Sequence, residues 1–434
     1  MGTTIRFHTL GCKVNQYETQ ALAQLFLARG YYLLEDCEAA DPDVVVVNSC
    51  TVTAQGDRKC RQLLRRLRRE HPQAALCLTG CYPQAYPAIA REMPELDVVT
   101  GSRNRAGLAE AVERRLATGQ RVVAILPHQP GEAFEAMTVE DFSHRTRAFV
   151  KIEDGCENHC AYCIIPTARG PVRSKPLAQL EQELAALDHN GHREVVLAGI
   201  NLGSYGRDLP GQPRLADAIE AACDLPGIQR VRLGSVEPDL ITPEDLTRMA
   251  AQDKLCPQFH LSLQSGCDTV LARMGRRYTT AHYLALAAEI RRRWPDAAIT
   301  TDLMVGFPGE TEAEFAASLD FARQVGFAKI HVFAYSPRQG TRAAAMAGQV
   351  APAVKKQRSR RLTDAAEELR RAFLQAMVGQ TVEVLFEEHL GACQAGYTTN
   401  YTPVTVPDTR NLRGRLLPVL ITGVEGDGCT GVLV

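Results

Sequence analysis

The chain has 434 residues, 45% of them hydrophobic, with 49 Lys and Arg set against 50 Asp and Glu. That length exceeds the ~250 residues of a single core, so two or three domains are expected. The near-cancelling charge excludes a global attraction for nucleic acid, and any basic footprint must be local. No apolar run approaches the ~18 residues of a membrane span, and the opening MGTTIRFHTL lacks the basic and apolar segments of a secretory signal. Fourteen cysteines in such a chain point to metal or redox chemistry in a reducing, cytoplasmic setting more than to a disulfide framework.

The first region, 1–126, alternates apolar runs with helical stretches. IRFHTL, VVVVN, ALCLT and LDVVT read as strands, and QYETQALAQLFLARG and DRKCRQLLRRLRREH as helices. Alternating β and α implies a parallel sheet covered on both faces. A polar stretch, 127–147, reads as a linker. The region 148–375 then repeats the alternation six times, with strands AFVKIEDG, EVVLAGIN, RVRLGSVE, FHLSLQSG, AITTDLMVGF and KIHVFAYS. Six βα units suggest a partial barrel, with a doubly wound open sheet as the competing architecture. The Arg- and Lys-rich helix from Val354 to Val378 leads into 376–434. There TVEVLFEEHL, GYTTNYTPVTV and LLPVLITGVEG read as a small antiparallel β domain.

EDGCENHCAYCIIP places Cys156, Cys160 and Cys163 within eight residues, directly after the first strand of the barrel-like region. Parallel-sheet enzymes put their chemistry at that end of the strands. Three thiolates on an iron–sulfur cubane leave one iron open to a chelating ligand. Zinc with His159 as fourth ligand is the alternative, since structural zinc takes a closed set of four. Three further thiols each follow a strand of the first region: Cys12 in TLGC, Cys50 in VVNSC and Cys81 in LTGC. The carboxyl ends of parallel strands share one edge, so these residues can converge. Buried cysteines acting as small hydrophobes are the plainer reading. It is the expectation for Cys37, Cys60, Cys77, Cys223, Cys256, Cys267, Cys393 and Cys429.

Cys156-x3-Cys160-x2-Cys163, with Tyr162 before the last thiol, resembles the radical S-adenosylmethionine superfamily. TLGCKVNQYET, NSCTVTAQGDRK and TGCYPQ are similar to the N-terminal domain of the methylthiotransferases. RTRAFVKIEDGCENHCAYCIIPTARG resembles their radical domain, and the tail from GQTVEVLFEE resembles the small β-barrel called TRAM. Pro83, after Tyr82, departs from the more usual alanine and is expected to affect only a loop. The resemblance implies two 4Fe–4S clusters. One, on Cys156, Cys160 and Cys163, binds S-adenosylmethionine and generates the 5′-deoxyadenosyl radical. The other, on Cys12, Cys50 and Cys81, carries the sulfur that is methylated and inserted. Tyr162, Gly199, Asn201, Gln264 and Asp302 are the expected contacts to S-adenosylmethionine.

Cys12 and Cys156 lie in segments most like the branch that acts on N6-threonylcarbamoyladenosine at position 37 of tRNA. Isopentenyl-adenosine in tRNA and an aspartate of a ribosomal protein are the substrates of the sister branches. The implied partners are a tRNA anticodon stem-loop and an electron donor of flavodoxin or ferredoxin type. The Lys355–Arg371 helix is expected to track phosphates, and Tyr397 and Tyr401 either stack a base or pack in a core. The arginines of RQLLRRLRR are read as a solvated helix face. A non-enzymatic iron–sulfur module that binds RNA is the reading from a different class.

Overall fold

A computed structural model describes residues 2–35, 40–139 and 146–434. Cys37 and the end of the 127–147 stretch, 140–145, lie outside the described residues.

The N-terminal sheet has six strands in the order Tyr32–Leu33, Thr4–Thr9, Val44–Ser49, Ala75–Gly80, Val98–Thr100, Val122–Ala124. All its pairings are parallel. The β-branched run Val44–Val47 is buried on both faces, as a central parallel strand requires. Val44 and Val46 join Ile5, Leu22 and Cys77 in one core, while Val45 and Val47 join Cys60, Leu64 and Leu76 in the other. The chain reverses its winding direction between Thr4–Thr9 and Val44–Ser49. Open α/β sheets place ligands at such a switch point.

The second region is a partial barrel. Its parallel strands follow chain order: Arg147–Lys151, Glu194–Ala198, Arg230–Leu233 continuing as Ser235–Val236, Gln258–Leu261, Ala298–Val305, Lys329–Ala334. A doubly wound sheet would reverse that order, so the competing architecture is not the one adopted. Helix Pro352–Gln375 packs along the last strand.

The C-terminal strands close a barrel in the order Thr381–Leu390, Cys393–Thr398, Pro403–Pro407, Gly428–Leu433, Leu416–Glu425. Two details depart from the sequence reading. GYTTNYTPVTV is two strands divided by a turn at 399–402, where Tyr401 takes a left-handed φ of 65°. The ring also holds one parallel pair, Pro403–Pro407 with Gly428–Leu433, so it is not purely antiparallel.

The stretch 127–139 is irregular but anchored. Glu132 pairs with Arg103 and Arg173, the Val139 N–H donates to Glu183, and Val139 is fully buried. Of the cysteines read as buried, Cys60, Cys77, Cys223, Cys256 and Cys429 are so, whereas Cys267 and Cys393 are half-exposed. Cys267 Sγ instead lies 3.2 Å from Thr269 Oγ1. Pro83 falls inside the short helix Cys81–Ala85, not in a loop. Its missing N–H costs nothing in a first turn.

Candidate functional site

Two groups of three thiols follow strand ends, one group in each of the first two regions. Thr9 pairs with Asn48, Asn48 with Thr79 and Ser49 with Gly80, so the chain leaves three neighbouring strands at one level. Cys12, Cys50 and Cys81 stand just beyond these pairs, near enough for their charges to interact. Gly11 makes the approach possible: at its φ of 121°, an added Cβ would lie 2.5 Å from Cys50 Cβ. Gly80, at φ 96°, is pressed against Asn48 and Ser49 in the same way. Burial pushes the Cys50 thiol up and the Cys81 thiol up to about 12.

Cys156, Cys160 and Cys163 lie in the loop after the first barrel strand. Burial raises Cys156 to about 11 and Cys163 to about 12. Arg276, which the sequence reading missed, donates from Nη1 to Cys160 Sγ at 3.3 Å and from Nη2 to the Ser262 carbonyl at 3.0 Å, and is paired with Glu237. A guanidinium at that sulfur suits an anionic thiolate set. His159, the alternative zinc ligand, is exposed, with φ 47° and its carbonyl accepting from Arg342. The soft, three-fold donor sets fit iron–sulfur clusters that keep one iron open.

A buried charge network ties the two sets together. Arg169, in the short helix after Cys163, donates to Asn15 Oδ1 at 2.8 Å, Glu18 Oε1 at 2.8 Å and Asp154 Oδ1 at 2.9 Å. Asn15 Oδ1 also accepts from Cys12 Sγ at 3.3 Å, and Asn15 Nδ2 donates to the carbonyls of Leu10 and Ser49. Lys151 and Arg105 complete the charge balance. Burial alone would raise the Glu18 carboxyl, but Arg105, Arg169 and Lys151 bring it down to about 2.

The expected cofactor contacts divide into two groups. Gly199 and Asp302 line a cavity of ≈ 740 Å³. Tyr162, Asn201 and Gln264 are not among the residues lining it. Tyr162 packs against Ala161, Val270, Met274, Phe307 and Tyr335, and burial lifts its hydroxyl pKa well above the ordinary value. Gln264, at φ 68°, joins strands through its backbone to Asp302 and Met304. Asn201 Nδ2 donates to Ser204, and its Oδ1 is buried without a partner. Glu153, also missed, accepts the N–H groups of Ile200 and Asn201 at 2.7 Å each and leaves Oε1 unpartnered. A Cβ on Gly199 would lie 2.7 Å from that carboxyl, so Glu153 and Gly199 shape the loop together. Two orphan acceptors at this strand end fit a cofactor bearing an ammonium group.

The cavity is bounded by all three regions: Cys12 and Lys13 from the first, His260, Asp302 and His331 from the barrel, and Tyr397, Asn400 and Tyr401 from the C-terminal barrel. Tyr397 and Tyr401 stack on each other at 4.9 Å. Arg147 lies over both rings and Arg232 over Tyr401, so guanidiniums cover ring faces that would otherwise stack on a base or pack in a core. The helix expected to track phosphates is largely a strut. Arg358 pairs with Glu310, Arg361 with Glu312 and Arg370 with Asp427, leaving Lys356, Arg360 and Arg371 exposed. In the other Arg-rich helix, Arg65, Arg66 and Arg68 form ion pairs, which suits a tethered solvated face.

An open six-stranded parallel barrel with three thiols in its first loop defines a radical S-adenosylmethionine enzyme fold. Residues 150–322 match the radical SAM superfamily model, and residues 4–101 match the model described as uncharacterized protein family UPF0004. The chain is similar to the threonylcarbamoyladenosine tRNA methylthiotransferase MtaB of Bacillus subtilis, at 37% identity over 96% of this chain and 93% of that one. It is also similar to the protein of the same name from Thermotoga maritima, at 36% over 92% and 90%. The tRNA-2-methylthio-N(6)-dimethylallyladenosine synthase of Moorella thermoacetica is 35% identical over 97% of this chain and 96% of its own. Among solved structures, the radical S-adenosylmethionine methyltransferase TsrM of Kitasatospora setae shares the fold. It has TM-score 0.57 and 16% identity, over 76% of this chain and 73% of that one. The chain belongs to the radical S-adenosylmethionine tRNA methylthiotransferase family.

Proposed function

We propose that this chain methylthiolates C2 of N6-threonylcarbamoyladenosine at position 37 of tRNA, giving 2-methylthio-N6-threonylcarbamoyladenosine. The names of the relatives from Bacillus and Thermotoga support the reaction. A few polar side chains in a cavity whose lining is otherwise largely apolar carry the choice of branch. Lys13, His260, Asp302 and His331 line it. A threonylcarbamoyl group offers a carboxylate, a hydroxyl and amide groups to such walls. A dimethylallyl group offers them no such partners, and a site built for polar groups discriminates strongly against analogues that lack them.

Cys156, Cys160 and Cys163 would hold the radical cluster, and Cys12, Cys50 and Cys81 the auxiliary one. When bound, the clusters supply the electron that cleaves S-adenosylmethionine and a carrier for the transferred sulfur. Glu153 holds the Gly199–Asn201 turn at the cofactor's end of the barrel, and Asp302 faces the same space. Arg169 fixes one thiol set against the other. Region 1–126 carries the auxiliary set, 148–375 the radical set, and 376–434 holds the anticodon stem-loop. A flavodoxin- or ferredoxin-type donor supplies electrons in the cytoplasm. Among the described residues, no helix is long and apolar enough to cross a membrane.

Reconstituted protein should bind about eight irons. The triple Ala variant at Cys12, Cys50 and Cys81 should keep about half of them and still release 5′-deoxyadenosine, but it should make no methylthio nucleoside. Mass spectrometry of nucleosides from tRNA carrying threonylcarbamoyl- or dimethylallyl-adenosine tests the branch. Preferential conversion of the dimethylallyl tRNA would move the chain to the sister branch. Full methylthiolation by the triple variant would overturn the ligand assignment.

A further inference from the structure

Lys13 directly follows Cys12, begins helix Lys13–Ala28 and lines the cavity. Its Nζ lies 5.7 Å from the centre of the Tyr401 ring. Two other cations crowd the same ring, Arg232 at 4.6 Å and Arg147 at 5.1 Å. Both have carboxylates of their own: Arg232 Nε lies 3.0 Å from Glu194, and Arg147 Nε 2.6 Å from Glu387. Among the described residues, no carboxylate lies within ion-pair distance of Lys13. It is the cation left over on this wall, kept there against the like charges of Arg232 and Arg147. A charge kept at such a place calls for an anionic partner.

Resting on the substrate reading above, the chemistry of the purine indicates what that partner is. C2 and C6, which bears the N6 substituent, flank N1 on one edge of adenine. If C2 turns toward the thiol set containing Cys12, the N6 substituent must lie beside the neighbours of Cys12. Asp302, which lies 3.6 Å from His260 Nε2 on the barrel wall, would repel a carboxylate placed there. We propose that Lys13 binds the carboxylate of the threonylcarbamoyl group and is a determinant of substrate specificity. Charge-assisted pairing of this kind favours the modified base over any neutral analogue.

The test uses cluster-reconstituted protein and four synthetic anticodon stem-loops. At position 37 these carry threonylcarbamoyladenosine, its methyl ester, plain adenosine or dimethylallyl-adenosine. Wild type should bind the free carboxylate at least about tenfold more tightly than the ester. Lys13→Met should bind the acid no better than wild type binds the ester, with affinity for plain adenosine unchanged. Lys13→Arg should restore most of the preference. Iron content and thermal unfolding check that each variant is folded. Equal weakening on all four loops would make Lys13 a phosphate contact and overturn the inference. So would a Lys13→Met protein that keeps its preference for the acid, whatever its affinity for S-adenosylmethionine. If wild type prefers the dimethylallyl loop, the substrate reading fails, and the inference with it. If wild type prefers the acid but Lys13→Met does too, the inference alone fails.

Discussion

Arg169 shows how much one residue holds. It is fully buried and bonds Asn15, Glu18 and Asp154, which come from both sides of the junction. Removing it leaves two buried carboxylates short of a partner, a loss of about 3–5 kcal/mol for a broken buried pair. Arg169→Ala should therefore lower the urea midpoint sharply. Arg169→Lys should recover only part of the loss, because an ammonium cannot reach all three acceptors of the fork. The loss should also depend on pH. The Glu18 carboxyl lies at about 2 in the folded chain, below its ordinary 4.5. A depressed carboxyl stabilises above its unfolded pKa and loses that contribution as pH falls through the folded one. The gap between wild type and Arg169→Ala should be full at pH 7 and shrink between about pH 4.5 and pH 2. A gap independent of pH would mean that Arg169 acts by packing and not by charge.

At the scale of elements, the Gly199–Asn201 turn depends on a residue 46 or more positions earlier in the chain. Glu153 is fully buried, and burial raises its carboxyl pKa well above the ordinary value. A carboxyl group and an amide have the same shape, and one oxygen of either can accept the same two N–H groups. Glu153→Gln should leave stability within about 1 kcal/mol, whereas Glu153→Ala strands the Ile200 and Asn201 N–H groups at about 1–3 kcal/mol. The Ala variant should also bind S-adenosylmethionine more weakly by equilibrium dialysis. Equal affinity in the two variants would remove Glu153 from the positioning of that turn. The strand-then-thiol pattern that marks Cys12, Cys50, Cys81 and Cys156 was legible in the sequence because each motif is local. Glu153, Arg169 and Arg276 were not, since each is an ordinary charged residue whose partners lie far away in the chain.

At the scale of the molecule, the C-terminal barrel is more than an appendage. Arg230 donates to the carbonyls of Tyr397 and Glu383, and Arg232 to those of Thr399 and Thr398. Leu374 and Met377, at the end of the connecting helix, belong to the barrel's own core. A chain ending at Met377 keeps all six candidate cysteines, so it should retain its iron. It should melt at a lower temperature, because Arg230 and Arg232 lose acceptors inside the protein. Its tRNA affinity should fall, and the salt dependence of binding should flatten as phosphate contacts are lost. Native tRNA affinity in the truncated chain would remove 376–434 from RNA binding.

The sequence by itself determined what repeats at short range. Apolar runs separated by helical stretches specified two parallel-sheet units. Closely spaced thiols specified the radical loop, and Gly and Pro punctuation specified a β-rich tail. These signals are carried by neighbours, so they can be read without knowing where the chain goes. Tertiary structure alone decided how the units meet. It placed Lys13, Asp302 and Tyr401 around one cavity, gave the faces of Tyr397 and Tyr401 to Arg147 and Arg232, and turned Arg358 of the Pro352–Gln375 helix inward onto Glu310. The physical reason is that a charge carries no mark of its partner. Whether it faces water, a phosphate or a buried carboxylate depends on which distant segment folds against it.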